Sequence, residues 1–168
     1  STPGISDGWS TWPSSTAASP SRRKFGMVSR NQPSNAVAEK PRGALIIAHG
    51  RGWSPDYELY GSLRTKLAEQ GYTTLAIQLP VLGGGAKIGD YLITYPDAGE
   101  RFALAAKYLQ GKGYKNIAIV SHSLGASMAN QYLINVDKTP VKAWVFIGII
   151  NGLEEMFRIK IPVMDVYG

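Results

Sequence analysis

The stretch Asn116-Ile117-Ala118-Ile119-Val120-Ser121-His122-Ser123-Leu124-Gly125-Ala126 decides how the chain is read. Ile117 to Val120 is a short apolar run rich in β-branched residues, which predicts a buried strand. Small residues follow. Leu124, Met128 and Tyr132 then recur every four residues among alanines, which predicts a helix. Strand, tight turn and helix therefore meet at Ser123. A serine at such an apex is held out at the carboxyl end of a sheet, with backbone N–H groups of the helix's first turn beside it.

The pattern repeats on either side. Ala44 to Ala48 reads as a fully apolar strand ending in His49-Gly50-Arg51-Gly52. Ser54-Pro55 reads as the opening of a helix, with Leu59, Leu63 and Leu67 as its apolar stripe and Gly71 as its stop. Thr73 to Leu79 is the next strand, closed by Pro80, and Val81 to Tyr95 a loop holding Gly83-Gly84-Gly85. Asp97-Ala98-Gly99-Glu100 reads as a capping box for a helix carrying Phe102, Ala105, Ala106 and Leu109. Val141 to Ile147 and Ile161 to Tyr167 read as two further strands, with a loop or short helix over Asn151 to Arg158 between them. Strands alternating with amphipathic helices predict right-handed crossovers: an α/β fold, a three-layer sandwich around a mostly parallel sheet. Sites in such sheets lie at the carboxyl ends of strands, where the segments after Ala48 and after Val120 both fall.

Size and composition agree with one folded domain. The chain has 168 residues, 44% hydrophobic and 18% charged. Without cysteine there is neither a disulfide framework nor thiolate chemistry, which leaves cytoplasm and periplasm both open for a soluble domain. The apolar stretch from Ala143 to Ile150 is far shorter than the roughly 20 residues of a membrane span. Residues 1–41 are dominated by Ser, Pro, Gly and Thr and hold no sustained apolar period, so they read as a disordered leader before a domain over 42–168. Together with Arg42 and Gly43, this leader carries +4 of the net charge of +6. Its Arg22-Arg23-Lys24 cluster has no basic face interleaved with aromatics, so it reads as a solvated tail and no nucleic-acid partner is expected.

Ser121-His122-Ser123-Leu124-Gly125 matches G-x-S-x-G with serine in place of the first glycine. Both ends of that turn demand small residues because the helix packs back on its strand. His49-Gly50-Arg51-Gly52 supplies the second half of a constellation. A backbone N–H from Arg51, or alternatively Gly52, would meet that of Leu124 around the negative oxygen of a tetrahedral intermediate. No metal-ligand spacing or phosphate-binding motif accompanies these segments, and no cofactor is expected. Tyr91, Tyr95 and Trp53 either line a substrate pocket or simply pack.

Leu45-Ile46-Ile47-Ala48-His49-Gly50, Gly71-Tyr72 and the Ser123 turn together make residues 43–168 resemble an α/β-hydrolase, entered at its third strand. The wording His49-Gly50-Arg51-Gly52-Trp53-Ser54-Pro55-Asp56 and Gln78-Leu79-Pro80-Val81 resembles a little-characterised bacterial subgroup. The resemblance implies a serine nucleophile at Ser123, an oxyanion hole and hydrolysis of a small-molecule ester or related acyl bond. It also implies an acid after the seventh strand and a histidine after the eighth.

The chain departs from that pattern. Its first two strands have no counterpart in residues 1–41. Ile161 to Gly168 resembles the seventh strand and its closing glycine, and no histidine follows Ser123. The portion present is thus expected to be incomplete, with base and acid missing. His122 is expected to pack beside the elbow, His49 to tie its loop's backbone, Gly50 and Gly125 to give room, and Asp165 to be a partnered structural carboxylate. Unprotected sheet edges are expected to invite self-association. The competing expectation is a non-catalytic binding or scaffolding domain with the same fold.

Overall fold

The computed structural model describes residues 28–29, 41–55, 57–149 and 153–167. Among these residues six strands form one sheet: β1 (Val28–Ser29), β2 (Gly43–Ala48), β3 (Tyr72–Ile77), β4 (Ile117–His122), β5 (Val141–Ile147) and β6 (Val163–Val166). Three helices connect them: α1 (Glu58–Glu69), α2 (Tyr95–Gly111) and α3 (Leu124–Asn135). The spatial order is β1-β3-β2-β4-β5-β6. Strands β2 to β6 pair in parallel, and β1 pairs antiparallel with β3. The expected mostly parallel sheet is present. The short strand at Val28–Ser29 was not anticipated, because two residues carry no periodicity; the open edge of β3 supplies its backbone partners. The rest of the expected leader over 1–41 lies outside the described residues, apart from Pro41.

Alternate residues of β2 to β5 feed two cores, as the twofold strand period requires. Ile46, Ile119 and Trp144 face α2 and α3, packing with Phe102, Leu109, Met128 and Leu133. Ile47 and Val120 face the other way, onto Tyr60 of α1. This is the three-layer sandwich. Burying each of the larger side chains here contributes about 1.5–3 kcal/mol. Trp144 and Phe102, both fully buried, anchor the larger core.

Several boundaries differ from the sequence reading. Helix α1 begins at Glu58, not Ser54: the carbonyl of Ser54 accepts the Tyr57 N–H in a turn, and no side chain caps the helix. Its buried line is Tyr60, Arg64 and Ala68, whereas Leu59 is exposed. The leucines at 63 and 67 flank that line, so a stripe drawn through leucines alone is rotated by about one residue. Helix α2 starts at Tyr95 with Pro96 in its first turn, and Asp97 therefore lies inside the helix instead of capping it. There it pairs with the buried Arg101 at 2.8 Å, whose guanidinium also donates to the carbonyl of Gln78 just past β3. The loop over 81–95 contains a 3-10 helix at Ile88–Thr94.

Candidate active site

β2 and β4 are neighbours in the sheet, with Ala48 opposite Ser121. The loop after β2 and the turn after β4 therefore emerge side by side. Ser123, Leu124, Arg51, Gly50 and His122 line one cavity of about 210 Å³, together with Trp53, Ile88, Ser127 and Ile149. Gly52, His49 and Gly125 do not line it: His49 and Gly125 are buried, and Gly52 is exposed at the turn.

Ser123 has φ 50° and ψ −122°. A non-glycine residue at positive φ is strained by roughly 1–3 kcal/mol and persists only where its surroundings impose it. Here they do. The Ser123 N–H donates to the carbonyl of Ile147 at 3.1 Å, and its own carbonyl accepts the N–H of Ala126 at 2.9 Å as α3 begins. Gly125 has no space for a side chain: a Cβ would collide with the carbonyl of His49 and lie 3.0 Å from that of Ala48. The first helical turn thus rests directly on the end of β2.

Ser121 is more than a small residue. Its Oγ accepts the indole N–H of Trp144 at 2.8 Å, and both side chains are buried. Serine at this point of the motif fills a hydrogen-bonding need that the Trp144 on β5 creates. Sequence spacing could not show it, since the partner lies on a later strand.

The loop after β2 is equally fixed. The carbonyl of Gly50 accepts the Trp53 N–H at 3.4 Å, with Gly52 at φ 70° in the third position, the geometry of a type II turn. His49 is buried. Its Nε2 accepts the Leu79 N–H at 2.9 Å and faces the Gln78 amide at 2.9 Å, which places the ring proton on Nδ1, donated to the carbonyl of Gly50 at 2.8 Å. Desolvation, with a lesser contribution from the Arg101 charge, holds this imidazole below the usual histidine range, although the Gly50 hydrogen bond opposes the shift. His49 thus hydrogen-bonds the backbone of its own loop at Gly50 and that of Leu79 after β3.

His122 lies beside the cavity, its Nδ1 2.8 Å from the Tyr60 hydroxyl. That hydroxyl accepts the Gly50 N–H at 2.8 Å. Its single proton has one acceptor among its described contacts, His122 Nδ1, and His122 is accordingly protonated on Nε2. Burial pushes His122 below its ordinary range and Tyr60 above its own. Tyr60 was missed in the sequence, where it stands one place from the leucine stripe and carries no motif.

Other expectations fare differently. Trp53 lines the cavity, but Tyr91 is buried away from it, its hydroxyl accepting the Leu82 N–H at 3.2 Å. Tyr95 lines a separate groove between α2 and α3. Asp165 is not a partnered carboxylate: it lies exposed on β6 with no hydrogen bond or ion pair among the described residues, because the whole of β6 is exposed at the sheet edge. No cluster of metal-ligating side chains exists among the described residues. No described helix is long and apolar enough to cross a membrane.

Residues 45–162 match the alpha/beta hydrolase family. The chain belongs to that family. Mouse Protein ABHD14A is 29% identical over 137 residues, which cover 79% of this chain and 53% of the mouse protein. The chain thus spans about half the length of that curated relative. Among solved structures, esterase PE8 superposes with a TM-score of 0.62 at 18% identity, covering 86% of this chain and 75% of that one. A cold-adapted esterase from an Arctic intertidal metagenomic library gives 0.56 at 16%, covering 74% and 60%. At these identities the likeness is one of fold, and this member carries an incomplete portion of it.

Proposed function

We propose that this alpha/beta hydrolase domain carries the nucleophile and the oxyanion hole of a serine hydrolase acting on carboxylic esters, with the general base and its acid supplied from outside these residues. Ser123 Oγ attacks the ester carbonyl carbon and loses its proton to that base. The carbonyl electron pair moves onto oxygen, where the N–H groups of Leu124 and Arg51 receive it. The carbon–oxygen bond to the alcohol then breaks, the alcohol leaves with the proton, and water cleaves the acyl-enzyme by the same route.

The observation that carries this reading is the strained φ of Ser123 at the lip of a cavity shared with Arg51 and Leu124. A turn that only had to cap a helix would relax with glycine at its apex. Arg51 is favoured over Gly52 as a donor because it lines the cavity and Gly52 does not. Its N–H is aimed by its neighbours: in a trans peptide it points opposite to the Gly50 carbonyl, which His49 and Trp53 hold. Neither histidine suits the base. His49 uses both ring nitrogens on its own framework, and His122 presents a protonated Nε2.

Losing the base of a serine hydrolase costs on the order of 10⁶ in kcat, leaving about 10³–10⁴ over water. A fluorophosphonate probe is therefore expected to label Ser123 in a chain extended to include a later acid and histidine, and negligibly in residues 1–168 alone. Full-rate labelling of residues 1–168 that disappears in His122→Ala would make His122 the base. An extended chain that stays unlabelled overturns the hydrolase reading in favour of a binding domain.

A further inference from the structure

Gly50 and His122 belong to the two halves of the site, one on the loop after β2 and one on the turn after β4. The halves touch. A Cβ on Gly50 would lie 3.0 Å from His122 Nδ1 and 3.3 Å from Ser123 Cβ. What joins them chemically is one oxygen atom. The Tyr60 hydroxyl receives the Gly50 N–H and gives its proton to His122 Nδ1, each at 2.8 Å. Its ring is buried and wedged edge-on against His122, His49 and Trp53 at centroid distances of 5.9, 6.3 and 5.7 Å. Helix α1 therefore delivers a rigid side chain to the seam between the halves.

From this geometry we infer that Tyr60 is a positioning residue, which sets the separation of the two oxyanion donors through a hydroxyl bridge from Gly50 to His122. The inference rests on the hydrolase reading only for its effect on rate. Gly50 and His122 are each close in sequence to a proposed donor: Gly50 precedes Arg51, and Ser123 separates His122 from Leu124. Fixing the first pair fixes the second. The bridge also consumes the Gly50 N–H, leaving Arg51 as the next donor along the loop. Beyond the β2–β4 pairing that ends at Ala48 and Ser121, the hydroxyl is the hydrogen-bonded link between loop and elbow among the described contacts, and a shift of about 1 Å at a reacting centre can cost 10²-fold in rate.

Tyr60→Phe keeps the buried ring and removes the bridge. In the form of the protein that labels at Ser123, the maximal rate of fluorophosphonate labelling is expected to fall by about 10- to 100-fold. The probe's half-saturating concentration should change by less than about threefold and the final extent of labelling should match the parent, whereas loss of folded protein lowers that extent. His122→Leu should reproduce the loss. His122→Asn, whose side-chain oxygen can stand where Nδ1 stood, should restore most of the rate. Labelling of Tyr60→Phe within twofold of the parent rate overturns the inference, as does equal loss in the Asn and Leu variants. A second readout does not depend on catalysis: nitrogen-15 spectra of residues 1–168 should show His122 protonated at Nε2, and a mixture of tautomers in Tyr60→Phe. An unchanged tautomer in the variant also refutes the bridge, whether or not Ser123 proves to be a nucleophile.

Discussion

Replacing Gly125 by alanine tests how tightly the elbow is built. A Cβ at this position would overlap the carbonyl oxygen of His49 and stand 3.0 Å from that of Ala48 and 3.2 Å from its carbonyl carbon. All three atoms are backbone, and all belong to the end of β2 or the residue after it, in the middle of the sheet. No flexible side chain can swing aside, so either α3 or the strand end must move. Overpacking of this kind costs about 1–3 kcal/mol. For a domain of this size each kcal/mol corresponds to roughly 2–4 °C in the unfolding midpoint, so Gly125→Ala should melt about 2–12 °C lower. Gly83→Ala and Gly84→Ala are the controls. A Cβ at either meets nothing within 4 Å, and neither residue has positive φ. Both should be neutral, or stabilised by up to about 1 kcal/mol through a less flexible unfolded chain. Urea unfolding of the three variants measures this directly. If Gly125→Ala unfolds within 0.5 kcal/mol of the parent, roughly the effect of an ordinary surface change, then the helix is not seated on the strand as described.

Ser121→Ala should cost about 1–3 kcal/mol, because it leaves the buried Trp144 N–H without its acceptor; the double variant with Trp144→Phe should lose less than the two single losses combined. Arg51→Pro removes the proposed donor at a turn position that favours proline, so it should fold normally yet lower the Ser123 labelling rate by about 10²–10³, whereas Arg51→Ala should label almost as the parent does. Acid should weaken the fold through His49. Its folded value is depressed, so the unfolded chain binds the proton more readily; the stabilisation is complete above about pH 6.5 and is lost as pH falls below it. A proton-NMR titration of His49 with its midpoint at or above 6.5 would contradict the buried, neutral assignment.

The strand, turn and helix around Ser123 could be read from the sequence because each is specified locally: an apolar run, small residues, a four-residue repeat. The loop at His49 to Gly52 was legible for the same reason, since its glycines fall where a strand ends. Tyr60 and the Ser121–Trp144 pair were not. Their roles depend on partners on other elements, and nothing in the residues beside them records the pairing. Helix starts were misplaced where capping residues had other uses: Asp97 resembles a cap in sequence but is held by Arg101, four residues on, inside α2. Asp165 reads as a partnered structural carboxylate because it falls within a strand and not beyond it, yet β6 is the outermost strand described on its side of the sheet.

The adjacency of β2 and β4 has a consequence for the order in which the protein matures. They are hydrogen-bonded neighbours, but α1, β3 and α2 lie between them along the chain. As the polypeptide grows, the loop bearing Arg51 emerges early and β3 can pair with β2 at once, whereas the other edge of β2 must wait for β4. Such a non-local parallel pairing is slow, because the intervening chain has to be closed first. Until then β2 presents an unpaired apolar edge. The loop after β2 and the turn at Ser123 therefore come together only once β4 has emerged and paired, and until then the nascent chain is exposed to misassociation along that edge.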